Sequence, residues 1–119
     1  ELHKLLSNIE EIDLIPESNS DFISSRYSFT IIIKSNSIFK RHEVMHKLTE
    51  SEIGTSVYYP HPVPRLKYYE NKYGFDENKF LNSVKFSDMT ISLPVGPHLN
   101  PKDMQYIAKC IKQIIRSQK

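Results

Sequence analysis

The stretch GTSVYYPHPVPRLKYY, Gly54 to Tyr69, changes character halfway along. Thr55, Val57, Tyr58 and Tyr59 are β-branched or aromatic and favour an extended strand. Pro60, Pro62 and Pro64 follow, each without a backbone donor and each with a fixed φ, so the strand is expected to stop at Tyr59. Residues preceding proline are themselves pushed to extended geometry. The expected result is a stiff loop at a strand end that displays Tyr58, Tyr59 and His61, a suitable place to hold a ligand. The same residues also suit a rigid crossover whose tyrosines simply pack.

Downstream, Arg65–Tyr73 reads as a short helix with Leu66, Tyr69 and Tyr73 on one side, ended by Gly74. Glu77–Phe86 is a further helical piece with Phe80, Leu81 and Val84 as a narrow apolar stripe. Thr90–Leu93 reads as a strand stopped by Pro94. Asn100 is a natural N-cap, Pro101 suits the first helical position, and Asp103 suits the first turn. The helix that follows is expected to run to Arg116, with Met104, Ile107, Ala108, Ile111, Ile114 and Ile115 on its buried face. Cys110, at the edge of that face, reads as a packing residue because no basic partner sits beside it.

Upstream, Lys40–Ile53 reads as a helix with Val44, Met45, Leu48 and Ile53 on its apolar side and Gly54 as its cap. Its residues His42-Glu43-Val44-Met45-His46 satisfy H-E-x-x-H, which places two histidines on one face for zinc with the glutamate as general base. A catalytic zinc needs a third protein ligand. His3, His61, His98, Glu70 and Glu77 are the remaining candidates, and no motif singles one out. Lys40, Arg41, Lys47, Thr49 and Glu50 make the helix strongly polar, which favours two solvated histidines. Tyr27–Lys34, with Phe29 and Ile31–Ile33, is the best strand of the chain, and its near-continuous apolar run predicts cover on both faces. Ser35–Ser37 is expected to turn. Residues 13–26 are polar and interrupted by Pro16, a loop. Residues 1–12 predict an amphipathic helix on Leu2, Leu5, Leu6, Ile9 and Ile12.

The assembly is an α+β domain: a small three-stranded sheet packed with four or five helices and covered mainly on one face. At 119 residues the chain is one domain, and it begins at Glu1, as a piece of a longer protein would. A net charge of +2 with scattered Lys and Arg gives no clustered basic footprint for nucleic acid. No apolar run approaches the ~20 residues of a membrane span, and no signal peptide is visible. The single cysteine excludes an intrachain disulfide and fits a reducing, cytoplasmic compartment.

Strand, tyrosine, proline-rich turn and short aromatic helix in that order resemble the small-domain substrate loop of the DegT-type sugar aminotransferases. These are fold-type I pyridoxal-phosphate enzymes that aminate keto-sugars carried on nucleotides. Phe80–Pro94, FLNSVKFSDMTISLP, resembles the family's short helix, Ser-Asp, and strand ending in Ser-Leu-Pro. Pro97 and Leu99 then precede the last helix, and Arg41 matches an arginine that opens the family's corresponding helix. The resemblance covers roughly Tyr27–Ile115 as an order of elements, with YYPHP and SDMTISLP as its specific motifs.

The resemblance implies that residues 1–12 form an interdomain-type helix, residues 13–26 a loop, and residues 27–119 a small C-terminal domain. The cofactor-bearing lysine, the acid for the pyridine nitrogen and the phosphate cradle lie in the family's large domain. No lysine here falls in the family's cofactor motif, and a chain with three glycines has no Gly-rich phosphate loop. The chain alone is therefore expected to bind no pyridoxal phosphate and to be inactive. As part of the full-length protein, paired with the large domain of the same polypeptide and dimerised, it would serve an enzyme that takes an amino group from an amino-acid donor, glutamate by resemblance, to a keto-sugar nucleotide. Tyr58, Tyr59, Pro60, His61 and Pro62 would form one wall of the substrate cleft, with no catalytic residue in this chain. The sequence departs from the family at Pro64, where a histidine is common, at Val84, often acidic, and at Met89, often arginine. These changes leave open a relative that has lost transamination, including a dehydratase branch with histidine in place of the cofactor lysine. A zinc peptidase on His42 and His46 and a stand-alone binding domain remain the alternatives.

Overall fold

The computed structural model describes residues 1–34 and 40–117. The turn expected at Ser35–Ser37 lies outside the described residues.

Strand β2 (Phe29–Ile33) is the middle of a three-stranded antiparallel sheet, flanked by β1 (Ile12–Leu14) and β3 (Thr90–Leu93). Ile12 stands opposite Ile33, and Ile31 stands opposite both Leu14 and Ile91. Phe29 stands opposite Leu93. Opposed and alternate residues share a face, so Ile12, Leu14, Phe29, Ile31, Ile33, Ile91 and Leu93 all point to one side. They pack in one cluster with Leu2 and Leu6 of α1 (Leu2–Leu6), Val44 and Leu48 of α2 (Arg41–Glu50), and Ile107, Ile111, Ile114 and Ile115 of α5 (Pro101–Arg116). The other face carries Thr30, Ile32, Thr90 and Ser92, and the Thr30 and Ser92 hydroxyls meet at 3.0 Å. Ile32 is only half-buried, so the apolar run of β2 is not covered equally on both sides as its sequence predicts. Burying one isoleucine contributes about 1.5–3 kcal/mol, against about 0–1 kcal/mol for an exposed ion pair. The apolar face therefore holds the domain together.

Among the described residues there are five α-helices, including α3 (Lys67–Tyr73) and α4 (Leu81–Met89), and the α+β expectation stands. Its strands are partly different ones. The helix expected over residues 1–12 stops at Leu6: Ser7 and Asn8 are poor helix formers, the Ser7 hydroxyl bonds back to the Lys4 carbonyl, and Ile12 gains a sheet partner. The strand expected at Thr55–Tyr59 is a single bridge, Ser56 to Ser92, with N–H···O distances of 3.0 and 2.8 Å. Extending it one way would set Gly54 against Pro94, which has no donor, and the other way it runs into Pro60. Gly54 is not the cap of α2 either. Glu52 takes the left-handed conformation (φ 58°), and the Ile53 amide returns to the Leu48 carbonyl.

Helix α5 follows its sequence closely. The Asn100 side chain accepts from the Lys102 and Asp103 amides, and the Asp103 carboxylate accepts from the Asn100 amide at 2.8 Å. The segment from Val63 to Phe80 is different in kind. Helix α3 buries none of its residues, and the 3-10 turns at Val63–Arg65 and Glu77–Phe80 bury none of theirs. Phe80 and Leu81, part of the narrow apolar stripe read from sequence, are 40% and 62% exposed.

Candidate functional site

Between the bridge at Ser56 and the turn at Val63–Arg65 the chain forms an exposed loop over α4. The Tyr58–Tyr59 peptide is cis. Tyr58 is 46% exposed and Tyr59 75%, with their rings edge to face at 6.3 Å. His61 is exposed and Pro62 buried, so the loop is pinned by a proline and displays its aromatic and imidazole groups. Tyr58, Tyr59, Pro60, His61 and Pro62 all line a single cavity of about 650 Å³, closed on the other side by Ser83, Phe86 and Ser87 of α4. The structure thus brings the five residues singled out from sequence into one hollow. Tyr58 also borders a second cavity of about 650 Å³, with Ser56, Ser92, Asp103 and Tyr106. The Tyr106 hydroxyl donates to the Ser51 carbonyl at 3.2 Å, which ties α5 to the end of α2 on that side.

A charge cluster closes the loop's end. Arg65 donates from both terminal nitrogens to the Asp88 carboxylate, at 2.7 and 3.0 Å, and from one of them to Glu77 at 2.9 Å. Its guanidinium also lies over the Phe75 ring, 5.8 Å from the centroid. Bidentate Arg–carboxylate pairing is the strong form of this contact. The Arg65 hydrogen bonds hold the Asp88 carboxyl below the usual carboxylate range against partial burial, and the Arg65, Arg41 and His61 charges act in the same direction. The same pairing raises Arg65 above its ordinary value. Arg41, at the start of α2, donates to the Ser87 carbonyl, so α4 is tied to α2 beside this pair. Asp88 lay within the quoted Ser-Asp motif, but partners 23 residues apart carry no local signal of their pairing.

The H-E-x-x-H residues occupy the outer face of α2. Val44 and Leu48 turn inward, His42 and His46 are exposed, and His46 Nδ1 lies 3.5 Å from Glu50 Oε1. Glu43 accepts from the Lys40 amide at the start of the helix, and Glu77, another candidate ligand, is engaged by Arg65. Among the described residues no three His, Cys, Asp or Glu side chains are grouped to hold a metal.

Among the described residues, the side chains do not fit a pyridoxal-phosphate site. Every described lysine is exposed or half-buried, whereas a cofactor-bearing lysine works desolvated or beside another cation. The N-terminus of α5, where a phosphate could sit, is filled by the Asn100 and Asp103 side chains.

The profile of the DegT/DnrJ/EryC1/StrS aminotransferase family matches residues 1–112. The spore coat polysaccharide biosynthesis protein SpsC of Bacillus subtilis is 31% identical over 67 residues, 56% of this chain and 17% of SpsC. Among solved structures, Spr1654 of Streptococcus pneumoniae, assigned as a sugar aminotransferase and solved in a PLP-form, superposes with a TM-score of 0.83 at 22% identity. The match covers 98% of this chain and 29% of that one. Helicobacter pylori PseC, an aminotransferase involved in the biosynthesis of pseudoaminic acid, gives 0.82 at 18% identity, over 98% of this chain and 30% of PseC. At these identities the structural likenesses establish the fold. The chain spans under a third of the length of each of these relatives. By the extent of the profile match, the chain belongs to the DegT/DnrJ/EryC1/StrS aminotransferase family.

Proposed function

We propose that this chain is the small, C-terminal domain of a pyridoxal-phosphate-dependent aminotransferase, and that its Tyr58–Pro62 loop forms one wall of the cleft for a keto-sugar nucleotide. Family membership over residues 1–112 supports the reaction class. One observation carries the assignment of the wall: the five loop residues converge on one cavity against α4. Tyrosine rings offer a flat apolar face to the C–H side of a sugar and a hydroxyl to its polar edge, and the prolines hold those rings without a loop to reorganise.

In this reading the large domain of the same polypeptide supplies the cofactor lysine and the phosphate cradle. An amino acid is the donor, the full-length protein is a homodimer, and it works in the cytoplasm. The buried thiol of Cys110 is compatible with a reducing compartment. No helix among the described residues is long and apolar enough to cross a membrane.

The test uses the full-length enzyme and the two half-reactions separately. Tyr59→Phe removes a hydrogen bond worth about 0.5–1.5 kcal/mol, and Tyr59→Ala also removes aromatic packing of similar size. Tyr59→Ala is expected to lose roughly ten- to a hundredfold in kcat/KM for the keto-sugar nucleotide. Tyr59→Phe is expected to lose less. The half-reaction with the amino-acid donor should change little, since a small donor need not reach the wall. Equal losses in both halves, or a loss that follows a fall in Tm, would make Tyr59 a packing residue and refute the wall.

A further inference from the structure

The loop that displays Tyr58, Tyr59 and His61 is fastened at two places to one continuous piece of chain, α4 running directly into β3. At its start, Ser56 exchanges two backbone hydrogen bonds with Ser92. At its end, Arg65 grips Asp88 with both terminal nitrogens. The anchor points Asp88 and Ser92 lie one helical-turn's worth of sequence apart, whereas the loop between the fastenings contains three prolines that contribute no backbone donor. The backbone bonds at its end are local, from the Arg65 amide to the Pro62 carbonyl and from the Leu66 amide to the Val63 carbonyl. Tyr59 and Val63 stand 75% and 59% exposed, so apolar packing of the loop rests mainly on buried Pro62.

We propose that the Arg65–Asp88 pair is a positioning device: it sets the height and tilt of the Tyr58–His61 crest over α4, and thereby the geometry offered to the acceptor substrate. Three features single it out from an ordinary surface ion pair. It is bidentate, which fixes direction as well as distance. The Arg65 side chain is only 23% exposed and is backed by Glu77 and the Phe75 ring. The far partner is itself braced, because Arg41 of α2 holds the carbonyl of Ser87, next to Asp88. A chain of contacts therefore runs from the start of α2, through the end of α4, to the end of the loop. Arg65 acts through the loop.

The inference rests on the loop being an acceptor wall, so its test carries a readout independent of turnover. In the full-length enzyme, Arg65→Met and Asp88→Asn each remove the charge pair while keeping much of the side-chain volume. Both should raise KM for the keto-sugar nucleotide by roughly tenfold, as small misplacements of positioning groups do. The kcat/KM of the donor half-reaction should stay within about twofold. Amide exchange at positions 65 and 66, whose amides donate to the Pro62 and Val63 carbonyls, should speed up while protection in α5 is retained. Asp88→Glu, which keeps the negative charge, should lose less than Asp88→Asn in both readouts. Unchanged exchange at the loop, an unchanged acceptor KM, or parallel losses in both half-reactions with a lowered Tm would each overturn the proposal. If Arg65→Met fails to fold, Asp88→Asn carries the same readouts. Failure of the acceptor wall is distinguishable: Tyr59→Ala would then show no asymmetry, whereas failure of the clamp alone leaves that asymmetry intact and the Arg65 and Asp88 variants silent.

Discussion

His42 and His46 sit one turn apart on α2 and face solvent, while Val44 and Leu48 take the core side of the same helix. A pattern of letters fixes spacing on the helix but not the rest of a coordination shell, and here His46 is beside Glu50 and Glu43 is occupied at the helix start. Replacing both histidines by alanine should change stability by no more than about 0.5 kcal/mol, as at ordinary surface sites, and should not alter zinc content measured by elemental analysis. One zinc per chain in the unmodified protein, lost in the double variant, would contradict this. The loop residues were legible for the opposite reason. Proline acts on the backbone locally, so Pro60, Pro62 and Pro64 announce a stiff exposed loop from sequence alone. Arg65 and Asp88 were not legible as a pair, because their meeting depends on how α4 lies under the loop.

At the scale of elements, legibility followed length and capping. Helix α5 spans sixteen residues with an apolar stripe, a capping side chain and a proline in its first turn, and sequence and structure agree on its start at Pro101 and end at Arg116. Strand β3 stops at Leu93, as Pro94 requires. The three-residue strand β1 straddles an apparent helix and an apparent loop: Ile12 fits a helical stripe with Leu2, Leu6 and Ile9, and Asp13 and Leu14 open the polar residues 13–26. What marks the strand is the pairing of Ile12 with Ile33, a contact that local spacing does not contain. The same limit applies at Ser56, where β propensity was high and the available partner edge was too short. The capping box gives a direct check. Asn100→Ala should cost about 1 kcal/mol, within the 0.5–2 kcal/mol seen for lost caps, in urea unfolding of the full-length protein, whereas Asn100→Asp should stay close to the parent. An alanine variant as stable as the parent would show that Pro101 and the packing of α5 suffice.

At the scale of the molecule, one side is a consolidated core of sheet and helices and the other is a thinly buried aromatic segment. Tyr68, Tyr69 and Tyr73 of α3 remain exposed, and the Lys72 ammonium lies over two of their rings, at 5.7 and 5.2 Å. The core explains why this fold was readable as α+β from sequence patterns. The chain spans only 17–30% of the length of the relatives described above. On the proposed function, the full-length enzyme moves an amino group onto a keto-sugar nucleotide. Absorbance spectroscopy of the full-length protein loaded with pyridoxal phosphate tests this. Addition of glutamate should convert the bound cofactor to its pyridoxamine form, and a keto-sugar nucleotide should then restore the original spectrum with release of an amino-sugar nucleotide. A protein that binds the cofactor yet yields a deoxy-sugar without any amino group gained, or that never exchanges one with glutamate or another amino acid, would contradict the account.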